Sequence, residues 1–406
     1  MEDWKEYRLD ELYVFGNGLS KGSKYFGYGH PFVSFKTVFN NYFLPEELSD
    51  YVDSDEKEQT KCSVQKSDVL LTRTSETVNE LGYSCVALRD YPKATFNGFC
   101  KRMRPITEGI IHDLYAGYYF RSSHFRNQVC SMSNMVTRAS LSNEMLGRLT
   151  IKLPSYKTQT QIGELLFSID RKIALNRQIN DNLEQQTQAL YKSWFVDFEP
   201  FKDGVFVESE LGLIPKGWST GSIYKYVNVI YGAPYKSTLF NENKEGYPLI
   251  RIRDLKTFSP QFYTTEVLPQ TEYIKSGDVV AGMDAEFIPC LWQGETGVLN
   301  QRCCKFVGKY KEINNLFVLH LVKPELEYVQ SYKTGTTVSH LGKADIDRFI
   351  VILPDEAIVH QFSKICRPLL DEQNKCAVEI RRLTNLRDAL LPKLMSGELK
   401  INDLDC

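Results

Sequence analysis

An internal repeat is the feature that most constrains how this chain can fold. The segment LTIKLPSYKTQTQIGELLFSIDRKI (149–173) aligns without a gap with FIVILPDEAIVHQFSKICRPLLDEQ (349–373). Both segments contain a short apolar strand that ends in Leu-Pro, then a polar step, then a helical pattern of apolar residues. Pro154 and Pro354 occupy the same place. Each half of the chain therefore ends in the same strand-to-helix transition.

Further segments repeat in the same order along both halves. The first member of each pair lies before residue 104 and the second after residue 230. The pairs are FGNGLSKG (15–22) with YGAPYKST (231–238), GHPFVSFKTV (29–38) with GYPLIRIRDL (246–255), VQKSDVLLTR (64–73) with YIKSGDVVAG (273–282), and FNGFCKRM (96–103) with LNQRCCKF (299–306). Preserved order over so many segments indicates two copies of one module, each of roughly 200 residues.

Each module begins with strand-like sequence. Apolar runs such as PFVSF, DVLLTR, PLIRI and DVVAGM are short and are bounded by Gly, Pro and Asn, which is typical of strands in an α+β domain. We expect a globular domain over 1–155, a helical region with a linker over 156–214, a second globular domain over 215–352 and a C-terminal helical region over 353–406.

A long helix is predicted at the end of each module. Thr158 followed by Gln161 predicts a capping box at the start of the first one. About 40 helical residues would span about 60 Å. Such a helix is longer than one that packs only on its own domain. Pro392 is expected to kink or end the second helix, and Gly397 is a stop signal after it.

Apolar residues recur at heptad spacing in both helices, which predicts that they pack on each other as an antiparallel coiled coil. Two equivalent domains would then be related by a pseudo-twofold. An amphipathic helix packed only on its own domain is the alternative, and the helix length argues against it. Asn176 and Asn180 would fix the register. The predicted seam consists of Ile162, Leu166, Ile169, Ile173, Asn176, Asn180, Leu183, Leu190, Trp194, Phe362, Leu369, Ile380, Leu383, Leu390 and Leu394.

Composition excludes several classes of protein. The 406 residues include 49 basic and 51 acidic ones, so bulk charge does not indicate nucleic-acid binding and any phosphate contacts need local patches. The chain has neither a signal pattern nor a long apolar run, which predicts a cytoplasmic protein that does not enter the membrane. Ten cysteines without a C-x-x-C pair predict reduced thiols, and six histidines show no metal-ligand spacing.

The helical phrases carry a resemblance to a known family. They are IKLPSYKTQTQIGELLFSIDRKIALNRQINDNLEQQTQALYKSWFVDFEPF (151–201), SELGLIPKGW (209–218) and RRLTNLRDALLPKLMSGELKI (381–401). In these phrases, and in outline over essentially the whole chain, the sequence resembles the specificity subunit of type I restriction–modification systems.

The resemblance implies a fold and a function. Two target-recognition domains would each read one half of a bipartite site in double-stranded DNA, and the two helices would pack antiparallel and set the distance between the half-sites. The subunit would hold two methylation subunits, which bind S-adenosylmethionine and methylate adenine N6. Restriction subunits would join that core. The specificity subunit itself would be non-catalytic and would need no cofactor or metal.

Two rival functions fit a chain of this size, an enzyme and a protein scaffold. A self-contained methyltransferase would need an Asn/Asp-Pro-Pro-Tyr/Phe loop, and the chain has no Pro-Pro dipeptide. GLSKG (18–22) matches the G-x-S-x-G pattern of hydrolases, but no helical sequence follows it; no nuclease-like cluster of carboxylates and lysine stands out either. The other rival is a coiled-coil scaffold that binds proteins and not DNA, and the paired domains argue against it.

DNA contacts are expected where the two modules correspond and are polar, with Lys and Arg on phosphates and Arg, Asn or Ser on base edges. Asn97 and Asn300 could equally be buried turn residues, and this interpretation is favoured for Asn97. Because the two domains carry different residues at matching positions, the two half-sites of the DNA target are expected to differ. The candidates are Ser20, Lys21, Lys24, Ser34, Lys36, Arg73, Lys101 and Arg138 in the first domain, and Tyr235, Lys236, Ser237, Arg251, Arg253, Asp254, Asn300 and Lys343 in the second.

Three aromatic residues follow the first helical pattern, namely Phe195, Phe198 and Phe201. They could dock methylation subunits, or they could close the junction between the helix and its neighbouring domain. The sequence leaves both alternatives open.

Overall fold

The computed structural model divides into two compact units. Unit 1 comprises Met1–Arg171 and Leu383–Cys406, and unit 2 comprises Lys172–Arg382. The residues whose structure is described are 4–75, 80–132, 139–333 and 339–404.

Unit 1 is built on a four-stranded antiparallel sheet and a three-stranded sheet. In the second sheet, Phe26–Val33 pairs in parallel with Thr95–Phe96. Two further strand pairs complete the unit. The four-stranded sheet has the order Tyr13–Asn17, Cys100–Pro105, Val69–Thr72, Ser84–Val86; the three-stranded sheet has the order Asp50–Val52, Phe26–Val33, Thr95–Phe96; the pairs are Lys5–Arg8 with Thr150–Leu153 and Thr74–Ser75 with Ala139–Ser140.

Unit 2 repeats this arrangement. Its second sheet also contains one parallel pair, between Tyr247–Ile250 and Gly297–Leu299. The four-stranded sheet has the order Val227–Tyr231, Cys303–Gly308, Val279–Gly282, Cys290–Leu291; the other sheet has the order Phe240–Asn241, Tyr263–Thr264, Tyr247–Ile250, Gly297–Leu299, Tyr273–Ile274; the pairs are Ser219–Ser222 with Ile350–Leu353 and Phe206–Ser209 with Gly212–Pro215.

Helices pack on the main sheet of each unit: Phe35–Asn40 and Asp113–Tyr119 in unit 1, and Asn315–Lys333 in unit 2. The first long helix is Tyr156–Phe195, with 40 residues, and the second is Glu356–Ser396, with 41. The other α-helices are Leu9–Leu12, Phe35–Asn40, Glu56–Lys61, Asp113–Tyr119, Ser123–Met132, Asn143–Arg148, Asn315–Lys333 and Lys343–Ile346, and the 3-10 helices are Ser23–Tyr25, Glu199–Phe201, Ile223–Lys225, Ser237–Leu239, Ile252–Leu255 and Ile401–Leu404.

The predicted repeat of an α+β module is confirmed by the strand pairing. Tyr13–Asn17 pairs with Cys100–Pro105 in unit 1, as Val227–Tyr231 pairs with Cys303–Gly308 in unit 2. The strands at the Leu-Pro motif also match, because each pairs with the first strand of its own module. Corresponding sequence segments therefore occupy corresponding places in both units.

The ends of the long helices differ in detail from the prediction. Ser155 caps the first one, since its hydroxyl accepts from the backbone N–H of Thr158 at 3.3 Å; the predicted capping box starting at Thr158 was wrong, because that residue already lies inside the helix. The second helix continues through Pro392 to Ser396. Gly397, with φ of 74°, ends it in the left-handed conformation that glycine tolerates.

The long helices pack antiparallel within each unit. In unit 1, Asp170 accepts from Arg387 at 2.7 Å. In unit 2, Asn176 donates to Glu379 at 2.8 Å, and Phe195 packs on Phe362 with ring centroids 5.0 Å apart. All the predicted seam residues are buried or half-buried, and Ile162, Leu166 and Phe362 among them lie in the hydrophobic cores of the two units.

The three aromatic residues after the seam pack inside unit 2. Phe195, Phe198 and Phe201 lie around Trp218, with ring centroids 5.9, 5.6 and 5.0 Å away. This packing favours the second alternative, in which they close the junction between helix and domain. Within the described residues, no helix is both long and apolar enough to cross a membrane.

Candidate DNA interface

Three backbone hydrogen bonds bring the repeated polar segments of unit 1 together. Leu19 N–H donates to Phe96 O at 2.7 Å, Gly98 N–H donates to Leu19 O at 2.8 Å, and Asn97 N–H donates to Val33 O at 3.0 Å. We call this meeting point the first junction. It gathers the ends of segments that lie far apart along the chain.

Unit 2 contains the same three bonds, which define the second junction. Ala233 N–H donates to Leu299 O at 2.8 Å, Gln301 N–H donates to Ala233 O at 3.0 Å, and Asn300 N–H donates to Ile250 O at 3.0 Å. The sequence correspondences predicted from the repeat therefore describe a real structural equivalence at this point.

A glycine makes each junction possible. A Cβ on Gly18 would lie 2.1 Å from the carbonyl oxygen of Asn97, and a Cβ on Gly232 would lie 2.1 Å from that of Asn300. Real carbon atoms do not approach so closely, so only glycine permits this backbone contact. The two glycines are the residues that begin the paired segments GLSKG and GAPYK.

The paired asparagines stabilise a turn at each junction. The side-chain oxygen of Asn97 accepts from Phe99 N–H at 2.8 Å, and that of Asn300 accepts from Arg302 N–H at 3.1 Å. Asn300 is 7% exposed. Its proposed contact with DNA thus stays a prediction, while its turn-forming role is visible.

The candidates that follow the first junction are partly engaged within unit 1. Lys21 forms an ion pair with Glu58 at 2.7 Å, so part of its charge is already compensated. Ser20 and Lys24 are exposed, and the Lys24 ammonium lies 4.9 Å from the ring of Tyr25. Ser20 and Lys24 are thus the more available of the three.

Ser34 and Lys36 lie at the start of the short helix Phe35–Asn40. Ser34 is its N-cap, because its hydroxyl accepts from Thr37 N–H at 3.2 Å. Lys36 is exposed on the first turn. Arg138 lies outside the described residues.

Lys101 and Arg73 lie beside the first junction but are not freely exposed. Lys101 is 5% exposed and donates to the side-chain oxygens of Asn17 at 2.5 Å and Asn143 at 2.6 Å. Burial, and then the charge of Arg73, lower the pKa of Lys101. The backbone N–H of Arg73 donates to Phe99 O at 2.9 Å, which fixes Arg73 at the junction.

In unit 2, Tyr235 is buried, and its hydroxyl donates to Thr271 at 3.0 Å. Lys236 and Ser237 follow it and are exposed. The backbone N–H of Lys236 donates to the carboxylate of Glu266 at 2.8 Å, so this part of the surface also carries a negative charge.

Arg251, Arg253 and Asp254 share one helical turn. Asp254 is 3% exposed and accepts from the Arg251 backbone N–H at 3.0 Å. The Arg251 guanidinium lies over the ring of Phe262 at 4.3 Å, so it is half-buried. Arg253 is exposed. Lys343, also exposed, is the first residue of the helix Lys343–Ile346.

Four residues near the junctions were missed at the level of sequence. Phe99 is 60% exposed, and Arg302 occupies the same place in unit 2. Arg302 contacts Asp284 at 3.1 Å, and Asp284 contacts His340 at 2.6 Å. The only available signal was the position of Phe99 and Arg302, two residues after the paired asparagines.

The nine described cysteines are free, and burial raises the pKa of thiols such as Cys304, to about 12. In the part of the chain that the structure describes, no group of three or more His, Cys, Asp or Glu side chains could hold a metal ion.

A family model of the type I restriction modification DNA specificity domain matches residues 1–185 and 215–380. The chain belongs to this family. It is 25% identical to the type I restriction enzyme MjaIX specificity subunit of Methanocaldococcus jannaschii, over 99% of this chain and 95% of that protein. It is 24% identical to the HindI specificity subunit of Haemophilus influenzae, over 98% of this chain and 100% of that protein.

A solved structure shares the fold. The S subunit of a type I restriction–modification system from M. genitalium superposes with a TM-score of 0.57 at 13% sequence identity, covering 97% of this chain and 96% of that chain. The resemblance inferred from the helical phrases is therefore confirmed. The relatives are specificity subunits, so methylation and cleavage belong to the complexes that such subunits join.

Proposed function

We propose that this chain is the DNA-reading subunit of a type I restriction–modification complex, and that each unit reads one half of a bipartite target. One observation carries the proposal. The same backbone junction is built twice, and different side chains surround it. A shared backbone with variable side chains is what two readers of different DNA sequences require.

The surroundings of the two junctions support an asymmetric target. Phe99 in unit 1 corresponds to Arg302 in unit 2, and Ser34 corresponds to Arg251 at the following segment. An apolar ring suits the methyl group of thymine, whereas a guanidinium suits the acceptor edge of guanine. Two such surfaces would recognise different half-sites, so the full site would not be a palindrome.

The remaining parts of the proposal concern partners and location. Two methylation subunits that bind S-adenosylmethionine would assemble on the chain, together with restriction subunits, in the cytoplasm. Residues 1–155 and 215–352 would act as the target-recognition domains, and 156–214 and 353–406 as the helical regions. The family membership supports assembly with other components of a type I system and binding to DNA.

The long helices would set the distance between the half-sites. Antiparallel packing in each unit supports this role, because a change in the length of both helices preserves their pairing. Inserting one heptad into each helix should lengthen the spacer of the recognised site and leave both half-sites unchanged. An unchanged spacer would contradict the role of the helices.

Mapping of methylated adenine across a genome tests the proposed function. The host would express the neighbouring methylation subunit with or without this chain. A gapped, asymmetric motif that is methylated only when the chain is present is the expected result. Absence of any chain-dependent motif, with folded protein and an active methylation subunit, would overturn the proposal and favour a scaffold.

A further inference from the structure

Lys101 is a buried cation that lacks an acidic partner in the described part of the chain. It is 5% exposed, and its ammonium contacts two neutral side chains, those of Asn17 and Asn143. Arg73, a second cation, lies close enough to lower its pKa. The nearby carboxylate of Glu144 is paired with Arg148. Buried charges are normally balanced by an opposite charge, so the positive charge of this cluster is uncompensated.

The ammonium fixes the orientation of the two amide groups. Lysine offers only donors, so Asn17 and Asn143 must turn their oxygens towards it. Their NH2 groups then point away from Lys101. Both asparagines are exposed, and neither NH2 group has a hydrogen-bond partner within the described residues. The cluster therefore turns two amide donors outward beside the buried positive charge of Lys101.

Arg73 adds a second unpaired donor. Its Nε atom is buried and has no hydrogen-bond partner among the described residues. An unpartnered guanidinium donor beside an uncompensated ammonium is a poor arrangement for stability alone. It becomes favourable when an anion with several acceptor oxygens binds nearby.

Unit 2 demonstrates that the fold does not need this cluster. Lys101 pairs across the sheet with Asn17, and the corresponding cross-strand pair in unit 2 is Cys304 with Tyr231. The backbone N–H of Arg73 donates to Phe99 O, and that of Met283 donates to Arg302 O. Because Phe99 and Arg302 are corresponding residues, Met283 takes the place of Arg73. The same backbone is therefore formed in unit 2 with neutral side chains at these three positions.

We infer that Asn17 and Asn143 form a two-donor clamp for a phosphate of the DNA backbone beside the half-site that unit 1 reads. Lys101 is the positioning residue, because it orients both amides, and Lys101 and Arg73 together supply the positive charge. Phosphate oxygens are acceptors only, so they complement the two outward NH2 groups beside a positive charge. This inference rests on the proposed function and adds residues that the sequence did not single out.

The variant N17D/N143D separates binding from stability. Each aspartate keeps the shape of asparagine and can accept from Lys101, so the fold should be retained or stabilised. The outward NH2 donors are replaced by carboxylate oxygens that repel phosphate. The matched control N182D/N385D adds the same two charges on exposed positions of the long helices.

The measurement is the affinity of the full chain, assembled with its methylation subunits, for a duplex carrying its mapped target, over a range of salt concentrations. Relative to the control, N17D/N143D should bind roughly tenfold or more weakly, and the slope of log K against log salt should fall in magnitude by about 1. The preferred sequence should not change, because a phosphate contact carries no base information.

Three outcomes would contradict the inference. Affinity and slope equal to those of the control would exclude a phosphate clamp. A changed sequence preference would indicate a base contact and would overturn the assignment to phosphate. If the wild-type assembly shows no sequence-specific binding at all, the proposed function fails first and the inference falls with it, so the two failures are distinguishable.

Discussion

The two junctions have the same backbone and different electrostatic character. Around the first, Lys101 and Arg73 leave positive charge without an acidic partner in the described chain. Around the second, Cys304 and Tyr231 are neutral, and burial raises the pKa of both side chains to about 12. Glycine and backbone hydrogen bonds thus determine the fold, while the surrounding side chains are free to differ. This division lets one module serve two recognition tasks.

The largest effect is expected when the charge of unit 1 is copied into unit 2. Cys304 is fully buried and faces Tyr231 across the sheet, so C304K would place an ammonium where no pair of asparagine oxygens receives it. We expect a loss of about 4 kcal/mol in the stability of unit 2. Thermal unfolding measures it, and C304S, which adds no full charge, is the control. A loss no greater than that of C304S would mean that the second junction accommodates charge as well as the first.

A smaller, pH-dependent effect is expected from His320 in unit 2. His320 contacts Thr187 of the first long helix at 3.3 Å, and burial, aided by Lys323, lowers its pKa from 6.5 to about 4. The neutral form is therefore favoured by folding. The contribution of neutral His320 to the free energy of unfolding is fully present above about pH 6.5. It is lost as the pH falls towards 4, by up to about 3 kcal/mol. In unit 1, the first long helix is contacted instead by Tyr118, which donates to Asp170 at 2.7 Å.

Calorimetry between pH 7 and pH 4.5, with hydrogen exchange to localise the change, checks this difference between the units. Unit 2 should lose stability over that range, and H320Q should remove most of the loss. An equal acid response in wild type and H320Q would assign the effect to other groups.

The junction glycines should respond alike in both units. G18A and G232A each force a methyl group against a backbone carbonyl, and the expected cost is about 2 kcal/mol in each case. The control is G22A, at a position with open space around it, which should change stability by less than about 0.5 kcal/mol. Very different costs for G18A and G232A would show that the two backbones are less equivalent than their hydrogen bonds indicate.

The smallest effect on stability is expected at the surface positions proposed to read bases. Phe99 is largely exposed, and the Arg302 side chain is 57% exposed. F99R and R302F should each change the unfolding free energy by no more than about 0.5 kcal/mol. Denaturant titration checks this, and a larger change would mean that these side chains support the junctions instead of being free to diverge.

Much of the fold could be predicted because it depends on periodicity. The heptads in both helices identified residues such as Ile162 and Phe362, which are buried, and the order of repeated segments identified the stretches that meet at both junctions. These features follow from the sequence alone, because a helical face is defined by spacing and a repeat by order.

The electrostatics of the candidate site could not be predicted in the same way. Lys101 was expected to be an available phosphate contact, yet it is buried between Asn17 and Asn143, which lie 84 and 42 residues away along the chain. Tyr235 was likewise expected at the surface and is buried. Which residues face each other across a sheet depends on register, and nothing local in the sequence specifies that register.

Adenine-methylation mapping with three chains, wild type, F99R and R302F, tests the central claim most directly. Each chain would be expressed with the methylation subunit in the same host. If each unit reads its own half-site, F99R should alter or relax one half of the gapped motif and R302F only the other half. Simultaneous changes in both halves, or an unaltered motif in both variants, would contradict independent reading by the two junctions.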